Sequence, residues 1–414
     1  MNIWYMLPYM KNGAVCLDCP KLLAQYHIRH LKKHYIRILN QVLSMLFHSS
    51  HSDALCIVTG CFSKGADNNV PEESHSIIRV TDSSLSFPSQ ADLVFRGIDA
   101  VSISGAEPVF IRIFLSDPAN QTAYVREFLK RECPISVIGQ APLDGSKIAA
   151  WVWCRNSAHV KPFSDNLCMV SWNGVKEMWL TCGLSGKESA YAQTVELLDG
   201  LSSVLPLHGM TLRDNCVRTW LFVQNIDVNY KGVVDGRNAV FDSNRLTPDT
   251  HFIASTGIEG RTMDYNHKVM LDALSVSGPG VSVRYLYGAS HLNRTSEYGV
   301  RFERGTVVEY PDRRHVFISG TASIDNKGKI LYEGDIVRQV ERMTENVGVL
   351  LAEAGCGFGQ VGAMIVYLRD IADYNVVKKL FDNRFAEIPY VIVQAPVCRP
   401  GWLVEMECVA IRFN

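Results

Sequence analysis

Glu405 and Glu407 stand two apart in the run Leu403-Val-Glu-Met-Glu-Cys408, so in an extended chain both carboxyl groups point to the same side of an otherwise apolar strand. An ionisable pair in that setting has two uses. It can join an arginine across an interface, or it can hold and pass a proton, because a carboxyl group removed from water is pushed towards neutrality. The wider stretch Pro389-Tyr-Val-Ile-Val-Gln-Ala-Pro-Val-Cys-Arg-Pro-Gly-Trp-Leu-Val-Glu-Met-Glu-Cys408 reads as two apolar strands joined by a turn, with Cys398 in the turn.

A second group of reactive side chains lies near the start of the chain. Cys16-x-x-Cys19 is followed by His27, His30 and His34, which at steps of three and four share one helical face. These are ligands of the kind zinc takes, but the dozen or so residues that separate the pairs of a usual finger are missing. The plainer reading is a basic amphipathic helix, with charge between Arg29 and Arg37 and an apolar stripe of Ile38, Leu39, Val42, Leu43, Leu46 and Phe47. No metal and no cofactor are expected.

With 414 residues, 47% of them hydrophobic, the chain is long enough for two to four packing units at roughly 100–200 residues each. A net charge of -1 argues against nucleic acid as a partner, since phosphate neutralisation needs clustered Lys and Arg. No apolar run approaches the ~20 residues that span a bilayer, and no signal-peptide pattern is present; a cytoplasmic protein is expected. The twelve cysteines are scattered and read as reduced thiols. Ser63 to Ser89 is rich in turn-formers and reads mostly as loop.

Internal repeats organise the rest. Phe110-Ile-Arg-Ile-Phe-Leu-Ser-Asp117, a helical stretch to Lys130 and Ile135 to Pro142 recur as Met364-Ile-Val-Tyr-Leu-Arg-Asp370, a helix to Phe385 and Tyr390 to Pro396. Both then run through a turn into a closing strand, Lys147 to Cys154 and Trp402 to Ile411. A third copy lies between them: Cys216 to Asp227, a helix carrying Tyr230, Val233, Val234 and Phe241, then Phe252 to Gly260 and Lys268 to Ser275. In these closing strands Asp272 is read as the counterpart of Glu405 in the second copy, and Trp151 in the first.

Ile336, Val340, Met343, Val347, Leu350, Leu351 and Ala354 repeat at helical spacing, and Gly355 supplies the stop. Each unit is therefore expected to lay two helices on one face of a mixed sheet, an α+β arrangement whose second sheet face must still be buried. Three linked units then close into a pseudo-trimer. The expected divisions are an extension over 1–53 and units over 54–160, 161–290 and 291–414.

The C-terminal unit resembles the Rid or YjgF-like family, also called endoribonuclease L-PSP or translation-initiation inhibitors. The resemblance is carried by Phe317-Ile-Ser-Gly-Thr-Ala, Gly334-Asp335, Gln339, Asn346, Glu353-Ala-Gly355, Val366-Tyr-Leu-Arg-Asp370 and Leu403-Val-Glu-Met-Glu407. It implies a chorismate-mutase-like fold, homotrimeric in that family, with sites at the interfaces. The imine-hydrolysing members hold the substrate carboxylate with an arginine where this chain has Tyr390, which weakens a deaminase reading. An RNase reading lacks a basic groove.

Over residues 210–414 the order of Val217-Arg-Thr-Trp220, Gly236-Arg-Asn-Ala-Val-Phe241, Ala254-Ser-Thr-Gly-Ile-Glu259, Tyr298-Gly-Val-Arg-Phe-Glu-Arg304, Ser319-Gly-Thr-Ala-Ser-Ile324, Gly334-Asp335 and Leu403-Val-Glu405 is similar to the chorismatases. Those enzymes split chorismate into pyruvate and a cyclohexadiene diol or hydroxybenzoate. This implies Glu405 as general acid or base with Cys398 beside the ring. For a dicarboxylate substrate Arg304 and Arg218 are the candidate cations, since guanidinium binds carboxylate bidentately, and Tyr298 is a candidate hydrogen-bond donor. Three functions stand open at this point: a chorismatase-like lyase or hydrolase, an enamine/imine deaminase, and a non-catalytic ligand- or protein-binding pseudo-trimer. The expected partner is a small carboxylate, and the expected assembly a monomer or low-order oligomer of pseudo-trimers.

Overall fold

The computed structural model describes residues 45–52, 54–63, 72–102 and 106–413. The Cys16, Cys19, His27, His30 and His34 group lies outside the described residues.

The described chain holds three six-stranded sheets that share one strand order. The first contains β1 (Met45–His51), β2 (Leu55–Phe62), β3 (Glu73–Val80), β4 (Ala106–Leu115), β5 (Ile135–Gly139) and β6 (Ile148–Asn156), in the order β1-β2-β3-β6-β4-β5. The second contains β7 (His159–Pro162), β8 (Leu167–Trp172), β9 (Val175–Gly183), β10 (Cys216–Val223), β11 (Ala254–Glu259) and β12 (Val269–Ser277), in the order β7-β8-β9-β12-β10-β11. The third repeats the pattern with β13 (Ser282–Leu286), β14 (Gly305–Glu309), β15 (Arg313–Ala322), β16 (Val361–Leu368), β17 (Tyr390–Gln394) and β18 (Val404–Phe413), in the order β13-β14-β15-β18-β16-β17. In each sheet the last pair, β4 with β5, β10 with β11 and β16 with β17, is parallel. The sheets are therefore mixed, as the repeats imply.

Each unit carries two long helices: α1 (Phe87–Val101) and α2 (Pro118–Phe128), α3 (Ala190–Val204) and α4 (Ile226–Ser243), α5 (Ile336–Glu353) and α6 (Tyr374–Phe385). The caps are legible locally. Asp335 accepts from the backbone N–H of Arg338 at the start of α5, and Gly355 leaves that helix with a φ of 72°, a conformation glycine adopts without a Cβ clash. The helices cover one face of each sheet. The other faces meet in a shared core of Phe110, Trp151, Trp153, Trp179, Trp220, Phe222, Phe317 and Val409. No helix among the described residues is long and apolar enough to cross a membrane.

Three sequence expectations are corrected here. Met45–His51 and Ser282–Leu286, read as parts of the extension and of the second unit, are edge strands of the first and third sheets; Leu46 and Phe47 belong to a strand rather than to a helical stripe. Glu73–Val80, read as loop, is the strand between β2 and β6. Its polar start misled the reading because Glu73, Ser74, His75 and Ser76 are all buried, their polar groups engaged by partners remote in sequence.

The third correction concerns register. Counted from the common end of the pairing, Leu368↔Val404, Val223↔Val269 and Leu115↔Ile148, the counterparts of Glu405 are Met270 and Ala149. Asp272 and Trp151 align with Glu407 instead. Glu405 thus has no carboxylate counterpart in either other unit.

Candidate active site

Glu405 reaches its position because the strand beside it gives way. The β15–β18 ladder shifts register between Ile318 and Thr321, and Gly320 sits in that irregularity. A Cβ on Gly320 would overlap the Oε1 of Glu405. Gly320→Ala is accordingly expected to displace the carboxyl and to destabilise the fold by about 1–3 kcal/mol, the usual effect of overpacking. A shift in the urea midpoint relative to wild type checks this.

The carboxyl faces a cleft between the second and third units. Tyr230 and Arg237 of α4 and Ser255 and Gly257 of β11 form one wall. Arg304 and Phe302, which precede β14, and Cys398, Arg399 and Trp402 from the β17–β18 turn form the other. The space between the walls, with its open mouth included, is about 520 Å³. Glu405 is 5% exposed. Burial, reinforced by the charge of Glu407, pushes its carboxyl up to about 8 against the opposing pull of Arg218 and Arg304. It is therefore mostly protonated at neutral pH, the state a general acid needs.

Three guanidinium groups stand around this acid. Arg304 is buried and donates to the backbone oxygen of Asn293 at 3.2 Å and to its Oδ1 at 3.2 Å. Arg237 lies over the Phe302 ring at 5.9 Å and Arg399 over the Trp402 ring at 4.8 Å. Such stacking presents a guanidinium edge-on to a planar anion. Cys398 lines the cleft, but burial, reinforced by Glu405, pushes its thiol up to about 12. It is a neutral wall of the cleft at physiological pH, not a thiolate.

Arg218 is elsewhere. It does not line the cleft; its Nη2 is held by Glu407 Oε2 at 2.6 Å, and its guanidinium lies 4.6 Å from the Trp220 ring centroid. The sequence placed it on a strand, and that strand turns it to the shared core rather than to the outer cleft. Tyr298 ends a short 3-10 turn, Thr295–Tyr298, and its side chain lies outside the described set. Tyr390 is buried, with its hydroxyl bound to Asp382 and the Arg79 guanidinium 5.8 Å from its ring centroid.

Arg237 and Arg399 were not recognised as site residues from sequence. Arg237 had a signal: it follows Tyr230 by seven residues on the face of α4 that buries Val233 and Phe241, so it is a lone cation in an apolar stripe. Arg399 had none beyond its place in the turn.

A second polar cluster, also unread in the sequence, ties all three units together near the other end of the shared core. Glu73 accepts from Trp153 Nε1 at 2.7 Å and from Arg313 Nη1 at 3.2 Å, and pairs with His315 Nε2 at 3.1 Å. Arg155 lies 3.5 Å from Glu73 and donates to Glu177 of the second unit at 2.9 Å.

A model of the endoribonuclease L-PSP family matches residues 306–412. A RutC family protein of Pyrococcus abyssi is 31% identical over 99 residues, 23% of this chain and 78% of that protein. The 2-iminobutanoate/2-iminopropanoate deaminase of Homo sapiens is 31% identical over 104 residues, 24% of this chain and 74% of the enzyme. Among solved structures, a chorismatase superposes with a TM-score of 0.57 at 19% identity, covering 73% of this chain and 92% of that one. That likeness extends the shared fold well beyond the C-terminal unit.

Proposed function

This chain belongs to the Rid/YjgF-like, or endoribonuclease L-PSP, family, and from that premise we propose that it is a chorismatase-like enzyme acting on chorismate or a related enolpyruvyl dicarboxylate, with Glu405 as the acid. The observation that carries this reading is a buried, largely protonated carboxyl facing a cleft rimmed by Arg237, Arg304 and Arg399. A substrate with two carboxylates matches the three guanidinium groups that line the cleft. The acid matches the enol ether: protonating its methylene carbon leaves an oxocarbenium ion, water adds to it, and collapse releases pyruvate and the ring alcohol while the added water's proton restores Glu405. Arg304 and Arg237 would fix the carboxylates, Cys398 and Phe302 would pack on the ring, and Tyr298 would supply a hydrogen bond. The fold shared with a chorismatase over most of the chain supports the reading.

Purified protein mixed with chorismate is expected to release pyruvate, detected by coupling to lactate dehydrogenase. No pyruvate, together with no binding of any enolpyruvyl compound, would overturn the proposal. Imine hydrolysis is the second reading, favoured by relatives named as deaminases. It is opposed by Tyr390, whose hydroxyl is committed to Asp382. Accelerated decay of 2-aminoacrylate would reinstate it.

A further inference from the structure

Glu407 is surrounded more densely than a supporting carboxylate requires. Its Oε1 accepts from Trp220 Nε1 at 2.8 Å, its Oε2 accepts from Arg218 Nη2 at 2.6 Å and from the Thr256 hydroxyl, and Arg112 Nη1 stands 3.6 Å away. Arg112 also donates to Asp272 Oδ2 at 3.0 Å, so two arginines and two carboxylates balance in charge. Yet Arg112 Nη1, Arg218 Nη1 and Tyr367 Oη are buried and find no hydrogen-bond acceptor among the described residues. A buried donor left unmade is strongly unfavourable, and ordered water is its ordinary partner. A small chamber is lined by Arg218 and Glu407 together with Trp220, Trp151 and Cys408.

Tyr367 shares a face of the sheet with both carboxylates. It pairs directly with Glu405 across the β16–β18 ladder, as Ile365 does with Glu407, and facing residues of an antiparallel pair share one side of the sheet. The charges acting on its hydroxyl are, in descending order, Glu407, Arg112, Arg218 and Glu405. We propose that Tyr367 and Glu407 are positioning residues for Glu405: the Tyr367 hydroxyl, through bridging water, donates towards the Glu407 carboxylate and accepts the acid proton of Glu405, which keeps that proton in place. The sense follows from electrostatics, since a negative charge nearby and a hydrogen bond to the neutral acid both disfavour ionisation. The other groups acting on or lining the cleft beside Glu405 are Arg218 on β10, Arg304 before β14, Cys398 in the turn and Arg237 on α4. Arg218 and Arg304 oppose retention of the proton, so the Tyr367–Glu407 arm offsets them.

The inference rests on the reading of Glu405 as an acid, and its test is independent of turnover. In the full chain with carboxyl-labelled glutamate, the Glu405 carbon-13 signal is assigned by its loss in Glu405→Gln and titrated without substrate. Tyr367→Phe, which keeps the ring's packing, is expected to lower the Glu405 titration by about one pH unit, and Glu407→Gln by at least as much. An unmoved titration in folded Tyr367→Phe overturns the proposal, and that variant decides alone if Glu407→Gln does not fold. A shifted titration in a protein that neither releases pyruvate from chorismate nor binds any enolpyruvyl compound would sink the functional reading and spare this one; cleavage with an unmoved titration would do the reverse.

Discussion

Glu405→Gln is expected to reduce pyruvate release from chorismate by roughly 10²–10⁴-fold, the usual contribution of a positioned acid, and at the same time to make the protein more stable at neutral and alkaline pH. The two effects have one cause. Burial, then the charge of Glu407, raise the Glu405 carboxyl to about 8 in the folded protein, whereas in the unfolded chain it titrates near the ordinary glutamate value of about 4.3. A raised folded value means that the stability present below the unfolded value is lost progressively as pH rises through the folded one. For wild type that window runs from the ordinary carboxyl range up to about 8. Glutamine carries no charge to desolvate, so urea midpoints of the variant should stay flat across the window while those of wild type fall. Wild-type turnover should decline as pH rises through the same value, because the acid form is consumed. A variant that keeps wild-type turnover would remove Glu405 from the mechanism.

Glu73→Ala is expected to lower stability by about 3–5 kcal/mol, the range for removing one partner of a buried ion pair. Burial alone would raise the Glu73 carboxyl, but the charges of His315 and Arg155 prevail and hold it well below the usual carboxylate range. Its removal leaves the buried Trp153 N–H without its acceptor and takes a buried carboxylate away from Arg155 and Arg313. Since these partners come from the first and third units, and Arg155 continues to Glu177 of the second, the loss should appear as one cooperative transition at lower urea. A depressed folded value also fixes the pH sense. The stability Glu73 contributes is present above the unfolded carboxyl value and fades as pH falls through the folded one, so the difference between wild type and variant should narrow in acid.

The repeats were legible because each unit spells the same succession of strand, helix, strand and closing strand, and local periodicity reports such succession directly. The α5 stripe and its Gly355 stop, the mixed sheets and the threefold arrangement all follow from that pattern. The oddity of Glu405 was legible too, as a carboxyl in an apolar strand. Which units meet at which face was not, and so the sequence reading assigned Arg218 to the substrate, passed over Arg237, and took the polar start of β3 for loop. Arg218 and Arg237 sit nineteen residues apart in the second unit, one turned to the shared core and the other to the cleft. A cation's role depends on which anion lies opposite, and here that anion comes from another sheet more than a hundred residues away. Sequence by itself determined the repeated fold and the presence of a carboxyl pair in an otherwise apolar closing strand. Only the tertiary structure decided that Glu405 faces a cationic cleft while its neighbour Glu407 faces the core, because desolvation and pairing are properties of what surrounds a charge in space.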